Sequence, residues 1–397
     1  MKNFSGKVVI LSAVRTPIGK YGGAFKEISA VSLGVAASVE AMKRAEVSPE
    51  QIDEVIFGMA RQAGNRPNPA RQILFHSGIP VERPAFTVNK ACASGMKAIA
   101  LGCQSLLLGE NRVVLAGGTE NMSQIPYLLD GARWGYRLGN GVLVDAMYRD
   151  GLFCPLAEMI MGETADLLAE KYGLSRMRQD EYAYQSQMKA KRATEHGQFK
   201  DEIVPVPVKD KRGQECSITD DEHPRPETTL EKLAKLPPVF KEGGSVTAGN
   251  SSGLTDAAAA LVLTTEPEAR NLGARPLAEI LGVVSAAVHP KEMGLGPVPA
   301  TLRLVKNLGL SLADFDLIEI NEAFAAQVLA CERELRWDPA KRNIRGGAIA
   351  LGHPIGCTGA RITVTLLHSL IQEDKELGLA TLCVSGGQGM ALALKRI

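Results

Sequence analysis

Val114-Leu115-Ala116-Gly117-Gly118 and Cys383-Val384-Ser385-Gly386-Gly387 are two copies of one pattern, a strand-sized apolar run ending in paired glycines. They stand 269 residues apart in a chain of 397. Asp53-Glu54-Val55-Ile56-Phe57-Gly58 and Asp316-Leu317-Ile318-Glu319-Ile320-Asn321 form a second echo, at an offset of 263. Cys92-Ala93-Ser94-Gly95 and Cys357-Thr358-Gly359-Ala360 form a third, at 265. One short echo is chance; three in the same order at nearly the same offset indicate a duplicated half.

Outward from these runs, each half reads as alternating strands and helices. Residues 7–11, 54–58 and 112–116 are short apolar runs of the kind that form buried strands. Residues 93–108 carry Met96, Ile99, Ala100, Cys103 and Leu107 at helical spacing. The second half repeats the order at 317–320, 360–371 and 380–384. This alternation predicts an α/β fold with mostly parallel sheets covered by helices. The segment between the halves is rich in Arg, Met, Tyr and Pro, with helical spacing over 159–171 and 176–196. Its Pro-containing stretches 204–208, 223–227 and 236–239 read as loops. The expected division is a first core half at 1–120, an inserted loop domain at 121–250 and a second core half at 251–397.

Bulk composition narrows the function classes. Hydrophobic residues at 45% and charged residues at 22% are ordinary for a soluble globular chain and argue against disorder. A formal net charge of +1 lacks the basic excess of a nucleic-acid groove or a membrane-surface patch. No stretch reads as the ~18 consecutive apolar residues of a membrane span, and the N-terminus shows no signal-peptide pattern. Seven cysteines, an odd number without C-x-x-C spacing, speak against structural zinc or a disulfide framework. The expected setting is a reducing cytoplasm, with no metal.

Four segments carry chemistry. Cys92 falls between a strand-like 86–88 and a helix start, where the helix dipole and free N–H groups favour a thiolate. It is either a nucleophile or a small buried residue. His353, in Gly346-Gly347-Ala348-Ile349-Ala350-Leu351-Gly352-His353-Pro354-Ile355-Gly356-Cys357-Thr358-Gly359, is fenced by Gly and Pro in a non-helical loop. It either trades a proton or donates to a developing oxyanion, or it is a turn histidine held by local hydrogen bonds. Cys383 ends a strand at the Gly-rich turn Ser385-Gly386-Gly387-Gln388-Gly389, where N–H groups face a ligand. Asn321 follows an apolar strand, at the end where α/β folds bind ligands, and suits a helix N-cap equally well. With no G-x-G-x-x-G and no G-x-x-x-x-G-K-[ST], nicotinamide and nucleotide readings lose their main support.

Together with Ser12-Ala13-Val14-Arg15-Thr16-Pro17-Ile18-Gly19, Thr247–Gly253 and Met293–Pro297, these segments resemble the thiolase family over essentially the whole chain. The resemblance implies a duplicated α/β/α/β/α five-layer core with an inserted loop domain. It also implies reversible acyl transfer between coenzyme A thioesters, with acyl-CoA and CoA as partners and no cofactor. Cys92 would carry the acyl group, and His353 would take its proton. Asn321 would hold a water in one oxyanion hole, while the backbone N–H groups of Cys92 and Ser385 form the second. Cys383 would be the second acid/base. Coenzyme A contacts map to Met161, Arg225, Phe240, Ala248 and Ser252, with Met293, Ala323 and Phe324 near the pantetheine and acyl end.

Three positions depart from the family pattern. Ile160 stands where many acetoacetyl-CoA-forming members have His. Ser385 replaces the usual first Gly after the second catalytic Cys, and Arg345 replaces a small or amide residue. Related 3-ketoacyl synthases generally use two His, so Cys383 favours thiolase. An intact Cys92, His353, Asn321 and Cys383 argue against a non-catalytic acyl-CoA or lipid binder. The residues around Cys92, and Met293, resemble the acetoacetyl-CoA-forming group more than the degradative group of fatty-acid β-oxidation. Residues 127–156 resemble the loop that ties dimers of that group into tetramers. The resemblance therefore implies condensation of two acetyl-CoA to acetoacetyl-CoA, or its reversal, in a homotetramer.

Overall fold

The computed structural model describes residues 6–209 and 213–397. Nine main strands build its core: β1 (Val8–Arg15), β2 (Glu54–Gly58), β3 (Ala85–Val88), β4 (Val113–Asn121) and β5 (Thr255–Thr265), then β6 (Ala278–Ala287), β7 (Leu317–Ile320), β8 (Leu377–Val384) and β9 (Gln388–Arg396). They run in the order β7-β8-β9-β6-β1-β5-β4-β2-β3. The repeat is visible in the pairing. Parallel β2 and β4 are followed by antiparallel β5 and β1, as parallel β7 and β8 are followed by antiparallel β9 and β6. A three-residue antiparallel ladder, Val8–Ile10 against Ala278–Ile280, joins the two halves.

The sheet is mixed, where β/α alternation alone predicted mostly parallel strands. The reason is local in the second half. Val384 pairs with Gln388, so the turn Ser385-Gly386-Gly387 sends β9 straight back along β8. In the first half the strand doing the same work, β5, arrives only after the insert and hydrogen-bonds between β1 and β4. A division drawn at residue 251 therefore leaves β5 with the second half, while its hydrogen bonds lie in the first.

Helices complete the layers. α1 (Ala30–Arg44) and α2 (Pro69–His76) cover the outer face of the first half. α3 (Ser94–Leu108) lies between the two halves. α4 (Met161–Lys171) and α5 (Arg176–Glu195) belong to the insert. α6 (Pro297–Leu308) and α7 (Ala325–Leu335) cover the outer face of the second half. α8 (Ile355–Gln372) is buried beside α3 in the middle layer, so its apolar residues run all round the helix. The result is the expected α/β/α/β/α arrangement. Ala91–Leu108 reaches a mean hydropathy of 1.3 over 18 residues, enough by length and composition for a membrane span. Its place at the centre of the molecule explains that composition.

The two central helices touch backbone to backbone. A Cβ on Gly95 would lie 2.8 Å from the Ala360 nitrogen, and one on Gly359 would lie 2.5 Å from the Met96 nitrogen. Only glycine permits that approach, and it brings the N-terminal ends of α3 and α8 together.

Two further sequence readings change. Of the stretch 204–208 read as loop, residues from 206 on belong to a strand, Val206–Lys209, paired with 215–218; Pro207 is tolerated because the ladder has only two strands and both are edges. Arg345, left without a role, is fully buried and donates to the Gln198 carbonyl at 3.1 Å. It belongs to a buried ionic group with Glu202, Glu319 and Arg361, away from the residues that line the cavity.

Candidate active site

Cys92 sits in a tight turn between β3 and α3. Ala91 adopts a left-handed conformation, φ +46°, and Ser94 pins the turn by accepting from the Lys90 N–H at 2.8 Å and donating to the Ala91 carbonyl at 2.7 Å. The thiol faces a cavity of about 370 Å³ whose wall comes from both halves and the insert. His353 and Cys383 line the same cavity, as does Ser385. Their sequence separation from Cys92 is bridged by the α3–α8 crossing, and a hydrogen bond of 2.8 Å from Lys90 Nζ to Gln388 Oε1 ties the Cys92 turn to the β8–β9 turn.

That turn resolves the Ser385 departure. Gly386 and Gly387 take the left-handed angles, φ +81° and +83°, whereas Ser385 is not among the residues with positive φ. Its N–H points at the Cys92 sulfur, one of the effects that draw the thiol's pKa down.

Electrostatics differ from the expectation of a resting thiolate. Burial outweighs the lowering effects of Arg61 and the Ser385 N–H, so the Cys92 thiol is pushed above its usual value. Burial first, and Cys92 second, push Cys383 well above its own. His353 moves the other way: burial, with Arg361 and Arg61 adding, lowers it to about 3. The resting site is therefore neutral thiol, neutral thiol and neutral imidazole.

The imidazole's tautomer follows from its neighbour. His353 Nδ1 lies 2.6 Å from Thr358 Oγ1, and Thr358 gives its single hydroxyl proton to the Pro354 carbonyl at 3.0 Å. The oxygen must then accept from Nδ1–H, which leaves the Nε2 lone pair free. The His353 N–H donates to the Gly253 carbonyl at 3.0 Å, fixing the loop on the segment that follows the insert.

All eight positions assigned to coenzyme A, Met161, Arg225, Phe240, Ala248, Ser252, Met293, Ala323 and Phe324, line this cavity. Phe240 and Phe324 meet edge to face, with centroids 6.0 Å apart. Ile160 also lines it, adding apolar surface. Asn321 is not among the lining residues. It is fully buried at the end of β7, and neither polar atom of its carboxamide has a hydrogen-bond partner among the described residues. No group of three or more His, Cys, Asp or Glu among the described residues is arranged to hold a metal.

Sequence reasoning missed four contributors. Glu120, buried at the end of β4, accepts from the N–H groups of Ala60, Arg61 and Gly356, clamping the segment after β2 to the start of α8. Glu322 accepts from Tyr182, Ser186, Asn343 and the Ile349 N–H, tying α5 to the loop that carries His353. A carboxylate at or just beyond the C-terminal end of a strand was the available signal for both. Thr358 lay inside the quoted His353 segment. Arg61 had no signal, since nothing local places residue 61 beside residue 92.

Comparison with known proteins shows the family. The family model described as thiolase, N-terminal domain, matches residues 8–267, and thiolase, C-terminal domain, matches 274–396. An acetyl-CoA acetyltransferase of Pseudomonas aeruginosa is 51% identical over 389 residues, covering 98% of this chain and 99% of that one. A crystal structure of the Bacillus anthracis acetyl-CoA acetyltransferase superposes with a TM-score of 0.96 at 47% identity, covering 99% of both chains. Human mitochondrial 3-ketoacyl-CoA thiolase in complex with CoA gives 0.95 at 43%, covering 99% of this chain and 98% of that one.

Proposed function

This chain belongs to the thiolase family, and from that premise we propose that it is an acetyl-CoA C-acetyltransferase. It interconverts two acetyl-CoA with acetoacetyl-CoA and CoA through a thioester on Cys92. The observation that carries the reading is the convergence of Cys92, His353 and Cys383 on one cavity wall.

Acylation begins from the neutral site. As the Cys92 sulfur attacks the acetyl-CoA carbonyl, its proton passes to His353 Nε2, the nitrogen that Thr358 leaves unprotonated. His353 keeps that proton, and the departing CoA thiolate takes the thiol proton of Cys383, leaving Cys383 as a thiolate. In the second half-reaction the Cys383 thiolate so formed removes a proton from the methyl of a second acetyl-CoA. The enolate oxygen is held by His353 and a water on Asn321, whose buried carboxamide has both polar atoms free of protein partners among the described residues. The enolate carbon attacks the acetyl-Cys92 carbonyl, the Cys92 and Ser385 N–H groups hold the oxyanion, and the Cys92 C–S bond then breaks, the sulfur recovering the proton held on His353. Each such donor is typically worth about 3 kcal/mol.

An exposed apolar strip supports the homotetramer: Trp134 is 89% exposed and Leu138 96%, with Val142 and Leu143 beside them. Seven free thiols support a reducing cytoplasmic setting. The reaction is tested by CoA-dependent cleavage of 3-ketoacyl-CoA thioesters from four to sixteen carbons. Acetoacetyl-CoA cleavage with steep loss on longer chains is the expected result. Activity that holds or rises with length would instead make it a degradative 3-ketoacyl-CoA thiolase.

A further inference from the structure

The cavity wall carries charge of one sign. Arg61 and Arg225 line it, and no Asp or Glu does among the described residues. Arg225 lies with the coenzyme A positions, but Arg61 is elsewhere. The apolar cluster it borders, Met122, Leu152, Leu254 and Ile355, packs against Cys92 itself. This is the acyl end of the cavity.

Arg61 makes no ion pair among the described residues, although its charge acts on Glu120. Its guanidinium donates to two main-chain carbonyls, Gly151 at 2.9 Å and Ala60 at 3.3 Å, and its Nε is buried with no hydrogen-bond partner among the described residues. The nearby carboxylate, Glu120, is already occupied by three main-chain N–H groups. A half-buried cation with an unused donor, set in apolar surroundings, is costly unless a ligand brings the anion. Its field reaches both Cys92 and His353, so the ligand atoms in range are those of the acyl group rather than the nucleotide.

We propose that Arg61 selects the acyl group, and that the enzyme also cleaves 3-oxoacyl-CoA thioesters whose chain ends in a carboxylate, paired with Arg61. This rests on Cys92 being the nucleophile. The Cys92 thiolate attacks the C3 carbonyl of the substrate after giving its proton to His353. The C2–C3 bond breaks, and C2 takes a proton from Cys383 to leave as acetyl-CoA. The carboxyacyl group remains on Cys92 as a thioester. The CoA thiol then attacks it, giving its proton to Cys383, and the Cys92 sulfur leaves and recovers the proton held on His353.

The test compares kcat/KM for 3-oxoadipyl-CoA and 3-oxohexanoyl-CoA, equal in carbon count and differing in the terminal carboxylate, with acetoacetyl-CoA alongside. Wild type is expected to favour the dicarboxylic substrate at least tenfold. Arg61→Met is expected to lower that ratio at least tenfold, and Arg61→Lys to restore part of it. A wild-type ratio at or below one overturns the proposal without recourse to any variant. An equal loss on all three substrates in Arg61→Met overturns it too, leaving Arg61 as an electrostatic support for Cys92. Failure of wild type on every substrate, acetoacetyl-CoA included, removes the acyl-transfer reading and this proposal with it.

Discussion

At the scale of single residues, the neutral resting site makes distinct predictions. Cys92→Ala is expected to abolish turnover with the fold intact, whereas Cys383→Ala should still acylate at Cys92 but form no carbon–carbon bond. Rapid-quench trapping of the acyl-enzyme separates the two, and full turnover by either variant removes that role. Thr358→Val takes away the acceptor that fixes the His353 tautomer, at a cost of about 1–3 kcal/mol in transition-state stabilisation. The expected kcat loss is tenfold or more, read beside an unchanged KM. His353 also couples stability to pH. Its folded pKa, about 3, lies below its unfolded value near 6.5, so between those values the unfolded chain binds the extra proton and stability falls as pH falls. From pH 7 to 5 this amounts to roughly 2 kcal/mol. His353→Asn keeps a donor for Thr358 and removes the titration. Its urea-denaturation loss over that range should be smaller than wild type's by about this amount, and equal losses would refute the assignment.

At the scale of elements, the α3–α8 crossing sets the distance between the Cys92 turn and the His353 loop. Gly359→Ala places a Cβ against the Met96 backbone nitrogen, and neither helix has room to yield. Overpacking of this kind costs about 1–3 kcal/mol, and misplacing reacting groups by an ångström costs on the order of 100-fold in rate. The variant is therefore expected to lose both thermal midpoint and kcat. A normal kcat would mean that the crossing does not position the site. The Cys-x-x-Gly and Cys-Thr-Gly segments that meet at this crossing were legible in the sequence as echoes of a duplicated half, but their contact was not. The return strands β5 and β9 were not, because their pairing depends on where an intervening chain happens to come back.

At the scale of the whole molecule, the insert is fastened to the core by buried charge. Arg15 donates to Glu202 at 2.6 Å and to Asp221 at 2.6 and 2.9 Å, all three nearly inaccessible. Arg15→Met takes the paired cation from two buried carboxylates, leaving Glu202 with Thr365 and Asp221 with the Ile18 N–H as donors, which is expected to cost about 3–5 kcal/mol. Chemical denaturation measures it, and a change under 1 kcal/mol would show that the cluster is hydrated or dispensable. The exposed Trp134 and Leu138 belong to the same scale. Replacing both with Ser is expected to lower the mass seen by light scattering from a tetramer to a dimer.

Sequence alone determined the duplicated α/β architecture and the elements that carry Cys92, His353, Asn321 and Cys383, while the eight positions that line the cavity came from the resemblance to the family. The architecture and these elements are written in local patterns: apolar periodicity, a Gly-fenced histidine, glycines at strand ends. Only the tertiary structure decided that burial keeps both thiols protonated, that Thr358 leaves Nε2 free, that Ser385 needs no left-handed angle, and that Arg61 stands unpaired at the acyl end. These depend on groups far apart in the chain, and a desolvation cost or an unmatched charge exists only once the fold has excluded water from them.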